Sequence, residues 1–293
     1  MPKHHSCILC GSERLTPMET FRHKHALLQC RDCALVFMED IPTAEVLDKH
    51  YSTYAYGSGG YLSPLTVASY NKLLDHFEKF RKHNRILDAG CGRGWFLDEA
   101  AKRGWEVFGS EYSPKAVDLC RSRGIQMHAG SLVEEAFDTG AFDVITSFEV
   151  LEHMNTPNRE MQLFHRFLRK GGLLYVTTPN FNSVMRYYLG AEYDVIGYPE
   201  HLTYFTRSTL KKLAKQNGFS VNGVSTTGIS VSRWQKSLNK PTERLGSQQS
   251  ADEQLRSRLA SRFYLRWAKS LANRVLTITG TGLTLKAWFV KSS

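Results

Sequence analysis

The segment from Arg85 to Leu97, RILDAGCGRGWFL, constrains the fold of this chain more than any other. An apolar run ends there in Asp88 and is followed by Gly90, Gly92 and Gly94 at alternate positions. Such a run is typical of a buried strand that leads through a glycine loop into a helix. Glycine lets the backbone close on a ligand, and the amides that open the helix carry partial positive charge. The loop is therefore expected to hold an anionic or strongly polar ligand.

The spacing of the glycines narrows the class of ligand. A nicotinamide or flavin fingerprint has the order GxGxxG, but Trp95 stands where its third glycine would be, so the order here is GxGxG. A second apolar run, EVFGSEYS, ends in Glu111, about 20 residues past the loop, where a carboxylate can accept hydrogen bonds from both hydroxyls of a ribose. These features indicate a nucleoside-cofactor site. The alternative is a tight turn with a solvated Glu111.

Four of the six cysteines form two CxxC pairs, Cys7 with Cys10 and Cys30 with Cys33. In a reducing compartment this pattern predicts a tetrahedral Zn²⁺ held by four thiolates, which is a closed structural site. Redox-active or incidental cysteines are the alternative. Cys91 and Cys120 stand alone and are interpreted as small core residues.

With 293 residues, of which 42% are hydrophobic, the chain can bury one sizeable core and carry a smaller module beside it. The sequence shows no secretory signal and no run of about 18 apolar residues. We therefore expect a cytoplasmic location, with peripheral contact to a membrane surface as a further option.

Strands and helices alternate from residue 85 onward, which predicts an α/β fold with a Rossmann-like, mostly parallel sheet. Strands are expected near residues 85–89, 105–110, 125–128, 142–147, 172–177 and 219–227, and a last one at 283–290 is expected to insert antiparallel. The expected divisions are a zinc-binding module (1–45), a connector or lid (46–84), a cofactor-binding domain (85–232), a polar loop with a basic helix (233–279) and the last strand (280–293).

The connector combines aromatic residues with a glycine cluster. These residues are Tyr51, Tyr54, Tyr56, Gly57, Gly59, Gly60 and Tyr61. Flexible glycines beside aromatics favour a lid over the cofactor, and tyrosines that pack two domains together are the alternative.

The net charge of +10 is concentrated in the C-terminal tail, where no acidic residue follows Glu253. Apolar residues recur there at every fourth position: Leu255, Leu259, Phe263, Trp267, Leu271 and Val275. This spacing predicts one basic helix with an apolar stripe. The stripe is expected to pack on the core or on a second subunit. An anionic membrane surface and nucleic acid are the alternatives.

Residues 85 to about 230, with the last strand, resemble a class I methyltransferase that depends on S-adenosylmethionine (SAM). The segments FDVITSFEVLEHM (142–154) and KGGLLYVTTPN (170–180) resemble the motifs of its fourth and fifth strands. The segment YPEHLTYFT (198–206) resembles the YxEHxxYF signature of nucleotide-sugar methyltransferases, some of which carry a four-cysteine zinc module. The resemblance thus implies SAM as cofactor and Zn²⁺ as a structural metal.

The resemblance also implies cofactor contacts in the glycine loop and behind the following strands. They are Asp88, Gly90, Cys91, Gly92, Gly94, Glu111, Tyr112, Ser131, Leu132 and Glu149. Ser131 stands where many relatives place an acid for the adenine amino group, and Leu132 is expected to cover the ring.

On the acceptor side, the resemblance implies roles for Tyr198, Glu200 and His201. A hydroxyl group, or a carbon beside a ketone, must lose a proton before it is methylated, and histidine suits this task at neutral pH. We expect His201 to be the base, with Glu200 orienting it and Tyr198 donating to the developing oxyanion. His153 is the rival base, because it follows the fourth strand at the carboxyl edge of the sheet.

The expected function is O- or C-methylation of a small molecule, with a sugar nucleotide or a glycan or secondary-metabolite precursor favoured. An RNA methyltransferase that grips phosphates with the zinc module and the basic helix is the second hypothesis. The third is a zinc-ribbon interaction protein with a vestigial methyltransferase domain.

Overall fold

The computed structural model describes residues 2–52, 60–238, 251–261 and 263–292. The strands are β1 (Leu15–Pro17), β2 (Leu27–Cys30), β3 (Val36–Met38), β4 (Arg85–Ala89), β5 (Glu106–Glu111), β6 (Gln126–Ala129), β7 (Phe142–Phe148), β8 (Leu168–Pro179), β9 (Thr203–Tyr204), β10 (Phe219–Thr227) and β11 (Thr284–Lys291). The α-helices are α1 (Ala44–Ser52), α2 (Pro64–Phe77), α3 (Trp95–Lys102), α4 (Pro114–Arg121), α5 (Pro157–Phe167), α6 (Val184–Leu189), α7 (Arg207–Gln216), α8 (Val231–Ser237), α9 (Ala251–Ser261) and α10 (Phe263–Thr279).

Seven strands form the central sheet in the order β10-β11-β8-β7-β4-β5-β6. The five strands from β8 to β6 run parallel, and β11 inserts antiparallel between β8 and β10. The expected Rossmann-like fold class and the antiparallel last strand are therefore confirmed.

Both faces of this sheet are buried, which explains why its inner strands are continuous apolar runs. On one face Leu87 and Ile145 belong to the larger hydrophobic core, and on the other Ile86 and Val144 belong to a second core. Because parallel strands end at one shared edge, the loops after β4, β5 and β7 meet there.

The sheet of the zinc-binding module includes a strand from outside the predicted range of residues 1–45. Its sheet has the order β1-β2-β3-β9, and its fourth strand comes from the YPEHLTYFT segment. Val36 and Phe37 pair there with Tyr204 and Thr203. The module is thus joined directly to the segment that carries His201.

The C-terminal tail forms two helices, α9 and α10, where the sequence predicts one. Trp267 is 64% exposed, and Leu271 and Val275 on the same helix are also exposed, so the expectation that the stripe packs on the core of this chain is wrong. Four residues turn an α-helix through about 400°, so a strict period of four drifts about 40° at each step and leaves one face. Leu276 is partly buried instead, and its carbonyl oxygen accepts a hydrogen bond from Thr226 (2.6 Å).

Within the described ranges, no helix is both long enough and apolar enough to cross a membrane.

Candidate active site

The glycine loop closes tightly on the end of β5. The amides of Gly90 and Cys91 donate to the carbonyl oxygen of Ser110 at 2.9 and 3.0 Å. Gly90 has φ = 72°, and a Cβ atom there would lie 2.5 Å from Val150 Cγ2. Any larger residue at this position would be strained and would collide with the loop after β7.

Glu111 at the end of β5 is fixed by two backbone amides. Its Oε2 accepts from the amide of Gly92 and its Oε1 from the amide of Ser113, both at 2.9 Å. A carboxylate has about four lone-pair sites, so Glu111 retains acceptor capacity on both oxygens. The cavity beside it can therefore take a ligand that presents two hydroxyl groups.

This cavity has a volume of about 270 Å³. We call it the methyl-transfer cavity. Glu111, Tyr112, Glu149 and His153 are among the residues that line it. Six of the predicted cofactor contacts line its wall: Gly90, Glu111, Tyr112, Ser131, Leu132 and Glu149.

Four of the predicted cofactor contacts, Asp88, Cys91, Gly92 and Gly94, are not part of the cavity wall. Asp88 is buried and accepts a hydrogen bond from Thr146 Oγ1 (2.7 Å). Burial raises the pKa of the Asp88 carboxyl to about 8, and the nearby Cys120 and Glu111 add to the shift. The Cys91 side chain is buried in the second core. Asp88 is directed away from the cavity because side chains alternate between the two faces of a strand.

Sequence reasoning missed several residues of the wall. They are Leu47, Ala89, Ser110, Gly130, Val150, Leu151, Met154, Glu160 and Phe164. Most follow strands directly, so the rule that ligands bind at the carboxyl ends of parallel strands could have found them. Leu47 comes from α1, and only the tertiary fold brings it there.

The predicted lid is partly described. A Cβ atom on Gly60 would lie 2.7 Å from the Trp95 ring, so the connector passes directly over the glycine loop. Leu47 of α1 covers the cavity from the same connector. Tyr54, Tyr56, Gly57 and Gly59, together with the Tyr51 side chain, lie outside the described residues.

Two histidine rings pack against each other at the acceptor end of the cavity. The centroids of His153 and His201 are 4.9 Å apart and the rings meet edge to face at 69°. Each Nδ1 lies 2.6 Å from a backbone carbonyl oxygen, that of Glu200 for His153 and that of Val195 for His201. An Nδ1–H that donates to a carbonyl leaves Nε2 as the unprotonated nitrogen of a neutral ring.

The structure distinguishes the two histidines by exposure. His153 lines the cavity and its side chain is 17% exposed, whereas His201 is 8% exposed and lies behind it. The preference for His201 as the residue that meets the acceptor is therefore not supported by its position. Tyr198 is also absent from the cavity wall and packs against the cluster that contains Phe21 and Tyr204. Glu200 contributes its carbonyl oxygen to the orientation of His153.

Buried carboxyl groups complete this end of the site. Glu152 Oε2 accepts from Thr178 Oγ1 (2.9 Å), while Oε1 has no hydrogen-bond partner among the described residues and lies 3.9 Å from His153 Nε2. Burial raises the pKa values of Glu149 and Glu152, and the charge of Glu149 adds to the shift at Glu152. Burial lowers the pKa of His153 and lowers that of His201 to about 4. Burial therefore favours the uncharged form of each group in this cluster.

One ligand atom from each of Glu152, His153 and His201 lies within 4.8 Å of the others. Two imidazole nitrogens and a carboxylate oxygen are donors that a divalent cation accepts, so the cluster can hold either a proton or a small cation.

The four predicted zinc ligands also converge, because one Sγ atom from each of Cys7, Cys10, Cys30 and Cys33 lies within 4.8 Å of the others. The Sγ atoms are 3.4 Å apart for Cys7 and Cys33 and 3.6 Å apart for Cys10 and Cys30. Zn–S bonds of about 2.3 Å in a tetrahedron place sulfur atoms about 3.8 Å apart, so the cluster fits Zn²⁺. A disulfide would need about 2.0 Å.

The two CxxC turns share one backbone form. The amides of Gly11 and Ala34 donate to the carbonyl oxygens of Cys7 and Cys30, at 2.8 and 2.9 Å. Gly11 and Ala34 have φ values of 74° and 61°, so each turn ends in a left-handed residue. Local sequence thus shapes both halves of the cluster alike.

Purified protein is expected to carry one zinc per chain. Cys30→Ser should release it, since three thiolates no longer complete the tetrahedron. The seven-stranded sheet should persist, but the segment around β9 should lose protection because β3 pairs with it. Metal analysis and hydrogen exchange would measure both effects. Anaerobically prepared protein that contains no zinc would contradict the assignment.

Comparison with known proteins identifies the class. Residues 66–224, more than half of the 293 residues, match the family described as a methyltransferase domain, and the chain belongs to this family. Over 118 residues it is 36% identical to the ubiquinone biosynthesis O-methyltransferase of Alkalilimnicola ehrlichii, covering 37% of this chain and 48% of the relative. The enzyme of the same name from Nitrosomonas europaea is 30% identical over 152 residues, covering 47% of this chain and 65% of the relative. The chain thus spans less than two thirds of the length of these relatives.

The fold is similar to that of a SAM-dependent methyltransferase from Archaeoglobus fulgidus. The two chains superimpose with a TM-score of 0.51 and 18% identity over 78% of this chain and 93% of the other. The family and these similarities support SAM as the cofactor.

Proposed function

We propose that this chain transfers the methyl group of SAM to a hydroxyl group of a small-molecule acceptor. The observation that carries the proposal is a single cavity whose wall contains Glu111, Glu149 and His153. The names of the relatives, which are O-methyltransferases, favour oxygen over carbon as the atom methylated.

The residues around the cavity fit the cofactor. Glu111 would accept from the two ribose hydroxyls, for which it retains lone pairs, and Leu132 would cover the adenine ring. Gly90 would let the methionine end approach the loop backbone. When bound, SAM supplies a methyl group activated by a sulfonium. In-line displacement then depends mainly on holding the acceptor in contact, which contributes roughly 7 to 11 kcal/mol.

His153 would remove the acceptor proton. Its Nδ1–H donates to the carbonyl oxygen of Glu200 and holds the ring, which leaves Nε2, 3.9 Å from Glu152 Oε1, as the proton acceptor. Its pKa, lowered by burial, keeps the ring neutral at pH 7. His201 would act as a positioning residue, because it packs against the His153 ring from the buried side.

The acceptor class favoured is a sugar nucleotide or a glycan or secondary-metabolite precursor. The YPEHLTYFT segment supports this choice, since its Glu200 carbonyl orients the base and its β9 strand joins the zinc-binding module. A methyl-transfer assay with radiolabelled SAM against pools of sugar nucleotides, quinol precursors and RNA would test it. Label in the RNA pool alone would favour the nucleic-acid hypothesis and contradict the small-molecule proposal.

Glu111→Ala should weaken SAM binding. Hydrogen bonds to a charged group are worth roughly 1.5 to 3 kcal/mol, so the dissociation constant should rise by about 10 to 150 fold. Isothermal titration calorimetry measures this change directly.

Glu111→Gln is the control, because the residue also accepts from the amides of Gly92 and Ser113. The glutamine keeps one acceptor oxygen but sets an NH₂ group against the second amide and loses the charge, so it should lower the melting temperature less than the alanine does and still bind SAM less tightly. Unchanged affinity in both variants would remove Glu111 from the cofactor site. Tight NAD binding without SAM binding would overturn the cofactor itself.

A further inference from the structure

A second cavity, of about 400 Å³, lies between helices α2, α9 and α10, outside the methyl-transfer cavity. Its wall carries the cationic side chains of Lys72, Arg256 and Lys269, and the amide of Asn273. Within the described ranges, no aspartate or glutamate lines it. We call it the basic cavity.

The three cationic side chains of this wall lie close together, and two of them have no acidic partner among the described residues. Lys72 and Lys269 make no ion pair within the described ranges, and the pKa of Lys269 is lowered by burial and then by the charges of Arg256 and Lys72. Arg256 is paired with Glu253 (3.1 Å) and donates to Thr66 Oγ1 (3.4 Å), which fixes its guanidinium between α9 and α2. At least two positive charges are therefore left uncompensated at one wall.

Asn273 adds a neutral donor to the same wall. Its Oδ1 accepts from the amide of Gly228 (3.0 Å), so the Nδ2 group is the part left to bind a ligand. Lysine ammonium, guanidinium and amide N–H groups all donate, and together they suit a group with several acceptor oxygens and a negative charge.

Lys286 interacts electrostatically with residues of both cavities. It lies opposite Thr177 in the pairing of β11 with β8, and the Thr177 carbonyl oxygen accepts from the amide of Glu149 (2.9 Å). The pKa of Lys286 is lowered by burial and the charge of Lys269, and raised by the charge of Glu149. Lys286 therefore lies within electrostatic reach of both cavities.

We propose that the basic cavity binds a phosphate or diphosphate group through Lys72, Arg256 and Lys269. Two sources share this chemistry. A phosphorylated acceptor would extend from the basic cavity past Lys286 to the methyl group, and this source rests on the proposed function. A phospholipid headgroup would enter from outside, beside the exposed Trp267 and Leu271 of α10.

Inorganic pyrophosphate is the probe for the site itself. Calorimetry on the full chain at low ionic strength should show one binding event per chain. The double variant Lys72→Gln/Lys269→Gln should weaken it by at least about tenfold, because each charge-assisted hydrogen bond is worth roughly 1.5 to 3 kcal/mol. Arg274→Gln is the matched control, since it removes one charge from an exposed position of α10 outside the basic cavity. Absent binding, or equal binding by the double variant and the wild type, would overturn the proposal.

Two further arms separate the sources. If the acceptor carries the phosphate, pyrophosphate should inhibit methyl transfer in competition with the acceptor and not with SAM. If a lipid carries it, wild type should float with phosphatidylglycerol vesicles but not with phosphatidylcholine vesicles, and pyrophosphate should release it. SAM affinity is measured in parallel and should be unchanged in the double variant. Wild type that binds pyrophosphate but no SAM would contradict the proposed function and leave the phosphate site standing.

Discussion

His153→Ala should lower the turnover rate by roughly 10² to 10⁴ fold, the usual contribution of a positioned base. SAM affinity should be preserved, because the proposed cofactor contacts Glu111 and Leu132 are other residues of the cavity wall and remain intact. If proton removal limits the rate, raising the pH should partly restore activity in the variant, since a more basic medium replaces the missing imidazole. Initial-rate kinetics across pH and calorimetry with SAM measure the two effects.

His201→Ala is the comparison variant that distinguishes between the two candidate bases. His201 packs against the His153 ring but is absent from the cavity wall, so its loss should reduce turnover less and shift the pH profile by disturbing the neighbouring ring. Near-normal turnover in the His153 variant with a severe loss in the His201 variant would return the catalytic role to His201. Small effects at both would indicate an acceptor that needs no protein base.

A chelator control addresses the other use of this cluster. Glu152, His153 and His201 can also hold a small cation, in which case wild-type activity should fall on treatment with EDTA and return with added Mg²⁺ or Mn²⁺. Activity that is insensitive to EDTA leaves His153 as a proton acceptor.

The cofactor half of the site could be predicted because its signals are local. The glycine spacing and the carboxylate of Glu111 both lie within the continuous segment from β4 through α3 to β5, and the structure lines one cavity with Gly90 and Glu111. Which of the two histidines lines the cavity could not be predicted from such local signals. Only the packing of the 198–206 segment against the 151–154 turn sets His153 in front of His201, through bonds such as that from the Leu202 amide to the Glu152 carbonyl oxygen (2.7 Å).

The zinc-binding module illustrates the same limit at the level of domains. Its four ligands are evident from CxxC spacing alone, because each turn is built from neighbouring residues. The pairing of Val36 with Tyr204 joins segments far apart in the sequence, and nothing in either segment indicates the other. The module therefore also holds the 198–206 segment in place.

Substitution of Asp143 is expected to have the largest effect on the stability of the protein. This carboxylate is fully buried at the start of β7. Its Oδ2 accepts from the amides of Lys82, His83 and Asn84 at 2.8, 2.7 and 2.7 Å, and its Oδ1 accepts from Arg169 Nε at 2.6 Å. The three amides form the turn that starts β4, so Asp143 fixes the strand that delivers the glycine loop.

Asp143→Ala should lower the free energy of unfolding by about 3 to 5 kcal/mol, because it removes the carboxylate that pairs with the half-buried Arg169 and accepts from three amides. Urea unfolding followed by fluorescence measures the loss. Asp75→Ala is the control, since it breaks an exposed ion pair with Arg103, and such pairs are worth about 0 to 1 kcal/mol. Similar losses in the two variants would contradict the role assigned to Asp143.

The pH dependence of this difference provides an independent check. Burial alone would raise the pKa of the Asp143 carboxyl, but hydrogen bonds from Arg169 and from the amides of Lys82 and His83 hold it below its usual range. The stabilisation is therefore complete above the unfolded-state pKa, about 3.9, and is lost as the pH falls through the lower pKa of the folded state. The gap in unfolding free energy between wild type and Asp143→Ala should accordingly be constant from pH 8 to about pH 5 and narrow in acid. A gap that widens in acid would mean that the folded protein favours the protonated form of the Asp143 carboxyl group. Arg169 would then not stabilise the negative charge of Asp143.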